Sequence, residues 1–457
     1  MAIPQLMASQ KQETSETEAG SAKRFPPQLM LAVLVAVPGA YLGAAHYLGL
    51  PHFNLPSVLL ALIYGIAIVG AAFVLSWAAE AAQVDINGGL ALALLALLAV
   101  LPEYAVDFVF TWKCGATYAQ GPPGLTGDAQ VCSLALANMT GANRVLVGVG
   151  WPLVVLVAGL AVWRARKSGG HASSSTQAGE VKLPRRMSTE VVFLGIATLY
   201  SLTLPLKDHL TLWDSAVFLL IFAAYGWRLS KMPRTEPDLI GASHWVGIQP
   251  RRKRRGFVIG MFTVAAIGIL LTAEHFAEAL TATGTQLGIS RFLLVQWVAP
   301  LASESPELIV ACLYAWRLKA SDSLGTLLSS KVNQWTLLVG SLPIVFAVSA
   351  TTLSGLPLDT QQRFELLITA AQSLFAVSIL VNLSLTAWGA AGLFSLFMVQ
   401  FVVSIVATDY VNRVTIVVLS IVYALLAIGQ FARKYRQTAR IAKDGTVTPF
   451  EKMQSGA

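Results

Sequence analysis

Two glutamates in this sequence directly follow prolines, Pro102–Glu103 and Pro306–Glu307, and both pairs sit inside apolar runs. An ionised carboxylate in hydrocarbon costs ~2.5 kcal/mol or more, so such a group faces a cavity, a partner or an ion. Proline removes a backbone donor and breaks the helical ladder, which releases carbonyls one turn earlier. Carboxylate, carbonyl and amide oxygens are the ligands that hard cations such as Ca²⁺ and Na⁺ take. Asp107 lies four residues after Glu103, so the two share one helix face and can aim at one point. Glu80, Glu274, Glu278 and Glu304 are further acids in apolar runs. The runs that follow add neutral oxygens, Asn138, Thr140 and Asn143 in one and Ser329, Ser330, Asn333 and Gln334 in the other. Ordinary interhelical hydrogen bonding is the competing reading for each of these. Gly141 and Ala142 are small enough for close helix approach.

The elements that position these groups are membrane helices. The 457 residues are 55% hydrophobic and only 12% charged, with a mean hydropathy of +0.64, too little polar surface to solvate a globule of this size in water. Apolar runs reach the roughly 20 residues that cross a ~30 Å hydrocarbon core as helix. Strand-like alternation in ~10-residue units is absent, which argues against a β-barrel. Spans are expected near 29–49, 56–83, 88–113, 130–163, 188–206, 210–230, 256–284, 287–316, 321–351, 363–385, 386–407 and 413–431. The net charge of +8 gathers in Arg164–Lys167, Lys182–Arg186, Arg251–Arg255 and Arg433–Arg440, each between or just after apolar runs. This is the positive-inside pattern rather than a nucleic-acid surface, and it sets both termini in the cytoplasm. The first 28 residues are polar and hold no removable signal, so the first span serves as the targeting signal. The N-terminus and the tail after about residue 432 read as flexible.

The chain repeats itself. PEYAVDFVFTWK (102–113) lies without gaps over PELIVACLYAWR (306–317), and GANRVLVGVG (141–150) over KVNQWTLLVG (331–340), which sets Asn143 on Asn333. The spans between the copies are odd in number, so the second copy crosses in the opposite sense. Transporters use such inverted pairs to build a site near the bilayer midplane. The expectation is an all-α, polytopic bundle of two inverted five-helix repeats, with one extra span at each end. Its parts are a polar N-terminus (1–28), an extra first span and loop (29–55), the first repeat (56–230), a basic linker (231–255), the second repeat (256–407), an extra last span (408–431) and a tail (432–457). Neither H-E-x-x-H nor G-x-S-x-G is present, which argues against an intramembrane hydrolase. A channel gains nothing from an inverted repeat.

These residues carry a resemblance. VAPLASESPELIVA (298–311) followed by SLGTLLSSKVNQWTLLVG, and LLAVLPEYAV (97–106) followed by LANMTGANRVLVG, resemble the two α-repeats of the sodium/calcium exchanger superfamily. The resemblance implies a cation antiporter of the plasma membrane, not an enzyme. It implies no cofactor and no nucleic-acid partner; the partners are the bilayer and inorganic cations, Ca²⁺ or another cation exchanged for Na⁺ or H⁺, and no protein partner is inferable. The alternatives are a proton-coupled cation exchanger in which Lys331 replaces a Na⁺ site, and a non-transporting membrane sensor. It makes Glu103 and Glu307 the principal ligands, with Asn143, Asn333, Ser303 and Ser330 assisting.

Three departures bear on coupling. Ala99, Val100 and Leu101 stand where the family has Gly-Thr-Ser before the first Pro-Glu, and Lys331 and Gln334 fall where its second repeat has asparagines. An ammonium about 4 Å from a carboxylate is worth ~4 kcal/mol at an effective dielectric of 20. Lys331 therefore either replaces a Na⁺ site, which shifts coupling towards protons, or neutralises surplus carboxylate, with Glu304 as the expected partner. Asp107 and Glu304 join it as candidates for coupling or charge balance, and Arg144 admits the same two readings. Cys114 and Cys132 either form a disulfide or stand unpaired at span ends, and Cys312 is too far within a span to join them. Glu274, His275 and Glu278 read as a relay, an ion entrance or an interfacial cluster.

Overall fold

The computed structural model describes residues 25–49, 51, 55–85, 101–119, 130–167, 176–177, 179–233, 239 and 241–454. The polar N-terminus up to residue 24 and the 88–100 part of the third expected span lie outside the described residues.

Helices dominate. In chain order they are α1 (Pro27–Leu48), α2 (Ser57–Ala82), α3 (Leu101–Ala119), α4 (Gln130–Leu134), α5 (Ala137–Val145), α6 (Trp151–Lys167), α7 (Ser188–Ser201), α8 (Leu212–Leu229), α9 (Ala242–Gly247), α10 (Arg251–Leu287), α11 (Arg291–Leu293), α12 (Ala299–Trp316), α13 (Ala320–Asn333), α14 (Val339–Ala350), α15 (Thr360–Leu380), α16 (Ala387–Val406), α17 (Asp409–Arg433), α18 (Tyr435–Thr446) and α19 (Phe450–Gln454). Among the described residues, ten helical segments are long and apolar enough to cross a membrane. Of the twelve expected spans, the two outside that group are the third and the eighth, which hold α3 and α12. The third is described only from residue 101 onwards, and the eighth contributes a shorter apolar helix, Glu307–Trp316. The large side chains left exposed are mostly apolar, as with Leu270, Val402 and Leu425, while Glu103, Glu304, Lys331 and Glu365 are buried. That inside-out distribution suits a lipid solvent. The protein is integral to a membrane.

Three π turns, Leu146–Gly150, Leu294–Val298 and Gln334–Leu338, interrupt the helices next to the repeated motifs. A proline ring clashes with the carbonyl four residues back. For Pro152 and Pro300 that carbonyl belongs to Gly148 and Gln296, each inside a π turn, which widens the ladder to accommodate the ring. Small residues set the helix spacing. A Cβ on Gly43 of α1 would lie 1.9 Å from the Leu271 carbonyl oxygen of α10.

The two halves contact each other reciprocally. α2 packs on α12 while α10 packs on α3, and α3 packs on α14 while α12 packs on α6. Two small sheets clasp the halves together. β1 (Thr176–Gln177), β2 (Glu180–Lys182) and β5 (Ser384–Thr386) pair antiparallel in the order β1-β2-β5, and β3 (His209–Leu210) pairs with β4 (Leu356–Pro357).

The structure corrects one expectation. The tail from residue 432 to residue 454 is ordered: Arg185 grips Asp444 through two hydrogen bonds of 2.7 and 3.0 Å, and Ile441, Phe450 and Met453 are buried. An amphipathic segment that buries an apolar stripe gains enough to be fixed despite its polar composition. The 231–255 stretch holds α9 and the first turn of α10. Positive charge at a helix N-terminus opposes the macrodipole. Here Asp85, just past α2, accepts from Arg254 at 2.7 and 2.9 Å, with Arg251 and Arg255 at 3.7 and 3.8 Å. Cys114 and Cys132 are disulfide-bonded and Cys312 is free.

The Arg254 hydrogen bond holds the Asp85 carboxyl below the usual carboxylate range, against the opposing effect of burial. A lowered folded-state pKa contributes stability above the unfolded value, about 3.9, that is lost as pH falls through the folded value. Asp85→Asn is therefore expected to lower the melting temperature in detergent at pH 7 and pH 5 alike, and the gap from wild type should close below about pH 4. A gap that instead widened on acidification would contradict this assignment.

Candidate functional site

Helices α3, α12 and α13 build the centre. Glu103 and Glu307 are both buried, as is Glu304 one turn before Glu307. The Gln334 amide links the halves, because its Nε2 donates to Glu103 Oε2 at 3.1 Å and also to Glu304 Oε1. Glu103 feels the charges of both Glu304 and Glu307. The first repeat's carboxylate and the second repeat's two thus form one cluster, shut away from water.

Around it, the carboxylate oxygens of Glu307 and the hydroxyl of Ser330 lie side by side, and neither closes a hydrogen bond with a described residue. The Asn333 amide is buried and likewise makes none, while Asn143 Nδ2 donates to the Met139 carbonyl at 3.0 Å and leaves Oδ1 free. Ser303 turns its hydroxyl back towards the Ala299 and Pro300 carbonyls of its own helix, at 3.3 and 3.4 Å. Its lone pairs alone remain for a ligand. The residues brought together are therefore oxygen donors with unused capacity, the chemistry of a hard-cation site.

The structure places three of the remaining polar groups as follows. Lys331, fully buried, does not take Glu304 as its hydrogen-bond partner; its ammonium donates to the Asn143 carbonyl at 2.8 Å, while Glu304 attracts it at longer range. Asn143 lies just ahead of a π turn, where the change of ladder makes a carbonyl available. Arg144 is neutralised away from the centre. Its Nη2 meets Glu365 Oε2 of α15 at 2.8 Å, and its guanidinium lies 4.7 Å above the Trp297 ring. Asp107 shares a helix face with Glu103 but meets Asn138 and the Met139 amide instead of the central carboxylates.

Gly141 aligns with Lys331 in the repeat, and the two show opposite uses of one position. A Cβ on Gly141 would stand 1.7 Å from the Gln296 carbonyl oxygen, so α5 presses directly on the π turn ahead of α12. Arg144 aligns with Gln334, and each is a polar group that reaches a carboxylate of another helix. Glu365 and the role of Gln334 were missed in the sequence. The signal for Glu365 was available, since it is an acid at the start of an apolar run.

The remaining acids lie elsewhere. Ser243 of α9 donates to Glu80. Glu274 and Glu278 surround Lys113 at 3.8 and 2.8 Å, with Tyr47 donating to Glu274 at 2.7 Å and His275 stacked on Tyr64. They form a separate cluster at the Cys114 end of α3.

Breaking a buried ion pair strands the surviving charge, at a cost of about 3–5 kcal/mol. Glu365→Gln should lower chemical-denaturation stability by about that amount, and the double replacement Arg144→Met with Glu365→Leu should recover most of it. Gly141→Val should be destabilising by about 1–3 kcal/mol or more, since helix backbone must move. Equal stability of Glu365→Gln and wild type in detergent would refute the pairing.

Comparison with known proteins accords with this geometry. The family described as sodium/calcium exchanger protein matches residues 56–230 and 257–432. The structure of the H⁺/Ca²⁺ exchanger CAX is similar at 38% identity and a TM-score of 0.79, covering 94% of this chain and 98% of that one. The fold is also that of the Ca²⁺/H⁺ antiporter protein YfkE, with a TM-score of 0.54 at 14% identity over 87% of this chain and 100% of that one. No curated protein matches the chain. A family match across both repeats, together with that close structural likeness, means that this chain belongs to the sodium/calcium exchanger protein family.

Proposed function

We propose that the chain is a secondary-active antiporter that exchanges Ca²⁺ for H⁺ by alternating access. The observation that carries this reading is the buried cluster of Glu103, Glu304 and Glu307, drawn from both repeats, with the Lys331 amino group held in the same interior on the Asn143 carbonyl. Glu103 and Glu307 are the principal cation ligands, assisted by Asn143, Asn333, Ser303 and Ser330, with Gln334 holding the two halves of the cage in register. A divalent cation and two protons neutralise the same two negative charges, so they compete for one site. Lys331 takes the place of a monovalent cation and leaves protons as the coupling ion. The similar CAX structure, that of an H⁺/Ca²⁺ exchanger, supports the same assignment.

Twelve crossings in two inverted repeats, 56–230 and 256–407, with extra spans 29–55 and 408–431, complete the proposal. The reciprocal packing of α2 on α12 and α10 on α3 supports the inversion. The apolar core divides into a large cluster from α4 to α8 and α13 to α17, and smaller ones around α1, α2 and α10. Two bodies joined at the carboxylate site suit rocking between inward-open and outward-open states. The basic loops set both termini on the cytoplasmic side of the plasma membrane.

Purified protein in proteoliposomes should accumulate Ca²⁺ when a pH gradient is imposed and not when a Na⁺ gradient is. Glu103→Gln and Glu307→Gln should each abolish uptake, and unchanged flux in both would remove the proposed site. Lys331→Asn should admit stimulation by Na⁺; if Na⁺ dependence is the same as in wild type, the lysine is not standing in for that ion.

A further inference from the structure

Three polar side chains on the Cys114 side of Glu103 have no role in the central cluster. They are Asp107 and Thr111 on α3 and Asn138 on α5, all fully buried. The Thr111 hydroxyl closes no hydrogen bond among the described residues, and neither do the Asp107 carboxylate oxygens or the Asn138 amide at full hydrogen-bond geometry, although Asn138 and the Met139 amide lie beside Asp107. Asp107 and Thr111 are one turn apart on the same face, and Asn138 lies against Asp107. A buried threonine normally satisfies itself on the carbonyl four residues back, as Thr140, Thr272, Thr283, Thr336 and Thr369 do. Thr111, like Thr189 and Thr198, does not.

The internal repeat shows what packing alone would put here. The first gapless match sets Asp107 on Ala311 and Thr111 on Ala315, and the offset of the second, carried three residues upstream, sets Asn138 on Leu328; all three counterparts are buried. The same helix interface is thus filled by apolar side chains in one half and by unpartnered oxygens in the other. Buried polar groups without partners are costly, and a native structure keeps few of them without a use.

We infer that Asp107, Thr111 and Asn138 form a second cation site, a relay for Ca²⁺ between the Cys114 face and the central carboxylates. The triad offers four oxygens: two carboxylate, one hydroxyl and one amide. Ca²⁺ takes six to eight oxygen ligands, so an ion here keeps part of its water and is held weakly enough to move on. Glu103, one turn or about 6 Å further along α3, supplies the next negative charge. A site present in one repeat alone makes access from the two faces unequal, with the relay serving the outer face in the proposed orientation. The inference rests on the exchanger reading of the central site.

The test is equilibrium ⁴⁵Ca²⁺ binding to the purified full-length protein in detergent, in the Glu103→Gln/Glu307→Gln background that removes the principal central ligands. The expected result is one residual, weak Ca²⁺ site per chain, lost when Asp107→Asn is added, retained with Asp107→Glu, and weakened about tenfold by Thr111→Val. In the otherwise wild-type protein, Asp107→Asn should raise the KM for Ca²⁺ supplied from the Cys114 side about tenfold and change that from the other side far less. Asp107→Asn is isosteric and removes a buried charge, so the fold should tolerate it. Absence of residual binding in the Glu103→Gln/Glu307→Gln background, or residual binding that survives Asp107→Asn, would overturn the relay. Failure of the exchanger reading shows itself separately, as Ca²⁺ uptake that persists when Glu103 and Glu307 are both replaced.

Discussion

Moving a charged side chain out of water costs several kcal/mol even after the surroundings relax, and this chain does it repeatedly within one bundle. Glu103, Glu304, Glu307, Lys331, Arg144 and Glu365 are all buried. Each must be matched by opposite charge, by hydrogen bonds or by a visiting ion, so the helices are arranged around their requirements. Arg144 and Glu365 satisfy each other at 2.8 Å. Among the described residues the Gln334 amide bonds Glu103 and Glu304, and Ser330 lies beside Glu307; three carboxylates gathered on so few donors are open to neutralisation by cations.

The backbone meets the same requirement. π turns interrupt helices next to the repeated motifs, whereas Pro306 lies inside the continuous helix α12 and Pro102 in the first turn of α3, and an interrupted ladder exposes carbonyls that an intact helix would consume. Lys331 uses one of them, at Asn143. Gly141 lets two helices meet backbone to backbone, which brings α5 against the π turn that leads into α12.

The two halves share a scaffold and divide the chemistry. The aligned positions that agree, the Pro-Glu pairs and Asn143 with Asn333, are the oxygen donors that the proposed cage draws from both halves. Those that disagree set its character: Gly141 against Lys331 for space and charge, Arg144 against Gln334 for which carboxylate is held, and Asp107 against Ala311 for what lies on the way in.

Apolar runs of span length, basic clusters between them and a Pro-Glu motif repeated without gaps depend only on composition and spacing, because a bilayer imposes its thickness and its aversion to charge on any helix. The amino-acid sequence by itself therefore determined a membrane bundle and the two glutamates at its centre. It also carried the family resemblance. Which polar group meets which carboxylate depends on helix rotation and on angles bent by proline and π turns, and these arise from packing between segments far apart in the chain. Thus Gln334 rather than Lys331 bonds Glu304, Arg144 goes to Glu365, Asp107 turns from Glu103 towards Asn138, and a polar tail docks on Arg185. Those choices belong to the tertiary structure, since a rotation of one residue on a helix swings a side chain by about 100° and no periodicity in the sequence records it.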